Sequence, residues 1–113
     1  MDNRLLIAGV VARRPETRTS PAGIPITRFT LRHQSQRPEA GLNRRVECSL
    51  QVVVCGHELG RAIQGLQEGE AVRVAGFLSR ADHRNSEATL ALHAERIERL
   101  QPQVAVDEQM TGD

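Results

Sequence analysis

The sequence predicts an all-β fold, a small five-stranded barrel carrying one short helix. Three observations predict it. Five runs of residues have strand-like alternation, and a single short run has helical spacing. That helical run falls between the third and fourth strands. Gly9 and Gly76 sit inside otherwise apolar strand runs, where a small barrel must coil sharply and a side chain would crowd the bend. A chain of 113 residues has room for one core and not two. Residues 1–100 are expected to form the domain and residues 101–113 a flexible acidic tail.

Strand one spans residues 4–12. Leu5, Ile7, Gly9 and Val11 share one face, and Leu6, Ala8, Val10 and Ala12 the other. Both faces are apolar, so one meets the core and the other calls for a neighbour or partner. Pro15 and the charged stretch to Arg18 end or bend this strand. Ser20-Pro21-Ala22-Gly23 reads as a turn, with Pro presetting the first central position. In strand two, Thr27, Phe29, Leu31 and His33 face in while Arg28, Thr30, Arg32 and Gln34 face out. Residues 34–43 hold Pro38 and Gly41 without periodicity and read as a mobile loop. Strand three turns Val46, Cys48, Leu50, Val52 and Val54 inward and Arg45, Glu47, Ser49 and Gln51 outward.

Leu59, Ala62, Ile63 and Leu66 fall at i, i+3, i+4 and i+7, the stripe of a short helix that His57 enters. Gly60 and Gly65 keep it brief. Strand four alternates Val72, Val74, Gly76 and Leu78 with Ala71, Arg73, Ala75 and Phe77. Strand five, residues 88–100, points Leu90, Leu92 and Ala94 inward. Ile97 and Leu100 then follow out of phase, as a bulge near Glu95-Arg96 would produce. Three strands, a short helix and two strands is the order of an OB-fold barrel. A generic β-sandwich is the alternative.

The charge is uneven although the net charge is only +1. Residues 1–50 carry nine Arg against four acids, and residues 51–113 six Arg against ten acids. Every cation other than His is Arg, the better side chain for planar phosphate contacts. An OB fold commonly binds single strands across strands two and three and the flanking loops. Here that surface carries Arg28 and Arg32 from strand two, Arg44 and Arg45 entering strand three, and Arg18 from the first hairpin. Arg80 and Arg84, on the loop between strands four and five, border it. These seven arginines are the candidate DNA-binding residues, and Glu39 and Glu47 oppose them. Phe29 and Phe77 are the only aromatics, so a broad stack of rings is excluded.

No enzyme is expected. Cys48, Cys55, His57, His83 and His93 show no CxxC, HxxxH or HExxH spacing, so neither a metal nor another cofactor is expected. No nucleophile and base are aligned, and no Gly-rich phosphate loop is visible. Cys48 reads as a core thiol and His93 as a barrel-wall histidine. Two cysteines give no disulfide framework. No stretch has the form of a signal peptide or the length of a membrane span, so a cytoplasmic protein is expected.

Asn3-Arg4-Leu5, Ser20-Pro21-Ala22-Gly23-Ile24-Pro25, Glu39-Ala40-Gly41, Gly56-His57-Glu58, Val74-x-Gly76-Phe77 and Leu92-His93-Ala94-Glu95 together resemble the family of primosomal replication protein N, PriB. The resemblance covers residues 1 to about 100. It implies a non-catalytic homodimer of OB folds that assists replication restart. Such a dimer binds single-stranded DNA, docks on the helicase PriA and stimulates it, and bridges it to the loader DnaT. Leu6, Ala8 and Val10, on the second apolar face of strand one, are then the dimer contacts. Well-known members carry aromatics where this chain has Leu42 and Glu47, and lysines where it has Asp82 and Thr89. Arg18, Arg44 and Arg84 keep a base. Weaker, Arg-dominated DNA binding is therefore expected. The alternatives are a general single-stranded DNA-binding protein, or a protein-interaction barrel with little DNA affinity.

Overall fold

The computed structural model describes residues 1–81 and 89–101. Its elements in chain order are β1 (Leu5–Val11), β2 (Glu16–Thr19), β3 (Pro25–Glu39), β4 (Leu42–Cys55), α1 (His57–Ala62), β5 (Ala71–Arg80) and β6 (Leu90–Arg99). The strands run in the order β1-β5-β6-β4-β3-β2, and a further pairing of β1 with β3 closes the sheet into a five-stranded barrel.

The sixth strand comes from the interruption at Pro15. β1 pairs with β5 from Leu5↔Gly76 to Val10↔Ala71, and its last residues cross to β3 at Val10↔Arg32 and Val11↔Leu31. Pro15 has no N–H to offer a ladder. The chain leaves the sheet there and rejoins β3 as β2, from Glu16↔Arg28 to Thr19↔Pro25. Strand one of the barrel is thus one strand broken in two. In the six-strand numbering the helix lies between β4 and β5, not between β3 and β4; β4 and β5 are the third and fourth strands of the barrel.

The core is built from alternating residues of each wall. Val11, Phe29, Leu31, Val52, Val54, Val72, Val74, Leu92 and Ala94 are all buried. Ile63 and Leu66 close one end, yet they lie beyond α1 in the following turns, and α1 itself buries no residue. α1 stops at Ala62 with Ile63 as its cap, and Gly65, at φ 76°, turns the chain beyond it. Ala62 is exposed, so the expected helical stripe is shorter than its spacing suggested.

The two mid-strand glycines stand where backbones nearly touch. A Cβ on Gly9 would fall on the carbonyl oxygen of Arg32, and one on Gly76 on that of His93. The bulge expected near Glu95-Arg96 is present: Ala75 pairs with Arg96 and Gly76 with Ala94, which leaves Glu95 as the extra residue. Ahead of β1, the Asn3 side chain stands in for a further ladder pair. Its Nδ2 donates to the Leu78 carbonyl at 2.8 Å, and its Oδ1 accepts from the Leu78 N–H at 2.9 Å.

The expected mobile loop at residues 34–43 is instead a β-hairpin. β3 and β4 pair without a break from Ile26↔Cys55 to Glu39↔Leu42. Ala40 and Gly41 form the two-residue turn, with φ of 52° and 80°, the left-handed pair that matches strand twist. β3 meets β1 only at residues 31–32, and β4 meets β6 only at residues 51–53. The seven pairs from His33↔Cys48 to Glu39↔Leu42 therefore extend as a two-stranded arm on the order of 20 Å long. No core lies beneath the arm to impose apolar alternation. Cys48, expected in the core, is exposed on it. Leu90 is likewise exposed at the barrel rim, and Ala91 is buried next to it. The expected start of strand five at residue 88 and the expected tail lie outside the described residues, apart from Gln101.

Candidate nucleic-acid interface

The outer wall of β2 and β3 gathers three of the candidate arginines. Arg28 and Arg32 alternate outward with Thr30 on β3, while Phe29 and Leu31 fill the core. Arg18 on β2 is the register partner of Ile26, which shares their face. Glu16, opposite Arg28, is the acid in this row. None of the three arginines forms an ion pair among the described residues. Ser20 folds the chain between β2 and β3: its carbonyl accepts from the Gly23 N–H at 2.8 Å and its hydroxyl from the Ile24 N–H at 3.1 Å. The row is thus fixed by the Ser-Pro-x-Gly turn that the sequence displays.

Arg44 and Arg45 do not enter a barrel strand. They stand on the arm inside β4, and as consecutive strand residues they point to its two faces. Arg44 meets Glu39 at 3.0 Å and Arg45 meets Glu47 at 2.6 Å. All four side chains are largely exposed, so these pairs are weak and screened by salt. Arg80 is the last residue of β5 rather than a loop residue. It is paired with Leu90, next to the point where Ala91 meets Gln51, so it borders the root of the arm. Arg84 and Asp82 lie outside the described residues, and Thr89 is exposed. The six described candidate arginines thus do not share one face: three form the barrel row, two divide over the arm, and one marks its root.

Sequence reasoning missed Arg37, because residues 34–43 read as a loop. It stands on β3 directly across the arm from Arg44. It also missed the pairing of Phe77 with His93, whose rings stack with centroids 5.1 Å apart and planes at 5°. Strand alternation had placed Phe77 away from the core face, but nothing local in the sequence joins positions 77 and 93.

Leu6, Ala8 and Val10 occupy the outer face of β1, where Leu6 is 65% and Val10 41% exposed. The same stretch offers a free edge. From Leu5 to Ala8, β1 pairs with β5 on one side and with no described strand on the other. His33 reaches that edge: its Nδ1–H donates to the Ala8 carbonyl at 2.6 Å, and its Nε2 accepts from the Ser35 hydroxyl at 2.8 Å. Among the described residues, no His, Cys, Asp and Glu side chains cluster as a metal site, and no helix is long and apolar enough to cross a membrane.

Comparison with known proteins places this architecture. Residues 3–96 match the model of a family described as another single-strand binding protein family. The replication restart protein PriB of Klebsiella pneumoniae is 40% identical over 98 residues, which span 87% of this chain and 94% of that protein. The solved structure of PriB from Ralstonia solanacearum superposes with a TM-score of 0.76 at 27% identity, covering 89% of this chain and all of that one. A Plasmodium falciparum SSB solved in complex with single-stranded DNA shares the fold at a TM-score of 0.73 and 15% identity, over 89% of this chain and 96% of that one. With the family model matched over residues 3–96 and 40% identity over 98 residues, this chain belongs to the PriB family of single-strand binding proteins.

Proposed function

We propose that this protein is a non-enzymatic replication restart factor of the cytoplasm that binds single-stranded DNA as a homodimer. In this role it bridges a PriA-type helicase to DnaT and stimulates unwinding. The observation that carries the DNA-binding reading is the row Arg18, Arg28 and Arg32 on the outer wall of β2 and β3. Guanidinium groups held on a rigid sheet take phosphate oxygens at fixed spacing and release counterions as they do so. On the arm, Arg45 continues the face of that row, and Arg37 and Arg44 stand on the opposite face. The names of the relatives support the role in replication restart. The free β1 edge supports the dimer, because an unpaired edge is a template for a second strand.

Fluorescence anisotropy with a labelled oligo-dT, over a series of salt concentrations, tests the reading. Three to five phosphate contacts give a log–log salt slope of about −2 to −4. Leu42 and Glu47 supply no stacking ring, so affinity is expected in the micromolar range near physiological salt. Nanomolar affinity insensitive to salt would refute this balance. No binding to single-stranded or forked DNA, with helicase stimulation intact, would favour a protein-interaction barrel. The ion pairs that occupy Arg44 and Arg45 are the observation on that side.

A further inference from the structure

We propose that Phe77, stacked on His93 and flanked by Arg4, is a base-stacking platform of this chain for single-stranded DNA, an inference that rests on the DNA-binding reading above. The chain has two phenylalanines, and the structure uses them differently. Phe29 is 3% exposed and fills the core, whereas Phe77 is 38% exposed on the outer face of β5. Its register partner on β6 is His93. The two rings lie nearly parallel, 5.1 Å between centroids and 5° between planes. The imidazole thus holds the phenyl ring in one orientation on a rigid sheet.

The other flank is set by β1. Leu5 pairs with Gly76, and the paired hydrogen bonds of Asn3 with the Leu78 backbone carry that register onward. Arg4 therefore stands across from Phe77. Same-face neighbours on paired strands bring their Cβ atoms to about 4.5–5.5 Å. Ala75 follows on the same face of β5, paired with Leu6 and with Arg96, so a small residue leaves room beside the ring. The acids here are Glu98, held by Arg73 at 2.8 Å, and the bulged Glu95. A nucleobase is a flat group with an apolar face and a phosphate one linkage away. An exposed ring beside a guanidinium matches both parts.

The chain contains no Trp, so Phe77→Trp creates a single reporter at the site. Titration with oligo-dT should quench its emission, saturating in step with anisotropy and reversing with salt. Phe77→Leu keeps apolar volume and removes the ring, and Kd should rise roughly 5- to 150-fold. Two results overturn the proposal: unchanged emission from Phe77→Trp while anisotropy reports binding, or unchanged affinity in Phe77→Leu. A change in subunit number with DNA affinity intact would also overturn it and make the face a protein contact. If the wild-type chain binds no oligonucleotide, the DNA-binding reading itself fails. Wild-type binding with either silent variant removes only the platform.

Discussion

Arg37 and Arg44 stand directly opposite each other across the β3–β4 arm. Like charges so placed are destabilising, and the arm has no core to offset them. Glu39 meets Arg44 at 3.0 Å, while Arg37 forms no ion pair among the described residues. A phosphate placed between the two guanidinium groups would relieve that repulsion. Replacing both residues with Ser should therefore leave the melting temperature unchanged or slightly raised, since nothing in the barrel depends on them. The same double variant should bind oligo-dT more weakly, and the salt slope should flatten by about 0.7 per lost contact. Anisotropy over a salt series, beside thermal melts, checks both halves. A destabilised protein with an unaltered salt slope would contradict the assignment.

The barrel was legible where a core imposes alternation. Phe29 and Leu31 facing in and Arg28 and Arg32 facing out follow from period two alone, as does the phase shift that Glu95 creates. The arm was not legible. Its residues face solvent on both sides, so no apolar period survives between Gln34 and Asn43, and Pro38 and Gly41 imitate a loop. The same lack of a core explains why Cys48 was wrongly placed inside. Of the site, the arginine row could be read because it alternates with core residues. The opposition of Arg37 to Arg44 needs the register of the hairpin, and the Phe77–His93 stack needs the β5–β6 pairing. Both are long-range facts.

The glycines separate two kinds of cost. Gly76→Ala would drive a methyl group onto the His93 carbonyl, and Gly9→Ala onto that of Arg32. Neither backbone can yield without opening the barrel. Each change should cost about 1–3 kcal/mol, lowering the melting temperature by roughly 4–8 °C per kcal/mol. Gly60, inside α1, has open space around its Cβ position, so Gly60→Ala should stabilise by about 0.5–1 kcal/mol. Thermal denaturation of the three variants side by side distinguishes crowding from helix propensity. A Gly76→Ala protein as stable as wild type would refute the close approach of β5 and β6.

Glu70 gives the fold a pH-dependent tie. Arg99 donates to its carboxylate at 2.9 and 3.2 Å, and the Gln67 N–H donates at 2.7 Å. The Arg99 hydrogen bond foremost, and then the Gln67 N–H, hold the carboxyl below the ordinary glutamate range. A group lowered in the fold stabilises it fully above its unfolded-state value and loses that contribution as pH falls through its folded value. The melting temperature of Glu70→Gln should therefore lie below wild type near neutrality. The gap should close as pH drops beneath the ordinary glutamate range. It should be small and shrink with salt, because Arg99 and Glu70 are each over a third exposed. A gap that stays constant across the acid range would assign the effect to packing rather than charge.

The proposed dimer makes the most direct demand on β1. Its edge from Leu5 to Ala8 has no strand beside it among the described residues, and Leu6 and Val10 expose apolar surface on the adjoining face. A second copy laid antiparallel along this edge would satisfy the main-chain groups that precede the Ala8 carbonyl, which His33 already holds. It would also join the two β1–β5–β6 surfaces into one sheet, with the Phe77 rings of both copies on it. Leu6→Glu leaves the β5 ladder and the core face of β1 untouched, since Leu5, Ile7 and Val11 supply that face. It places a carboxylate and its symmetry mate side by side, where like charges repel. Light scattering behind size exclusion should therefore show wild type at twice the chain mass and Leu6→Glu shifted toward one chain mass. The variant should keep its far-ultraviolet β signature, with DNA affinity reduced because one continuous surface has been halved. A variant that remains dimeric would move the interface away from β1.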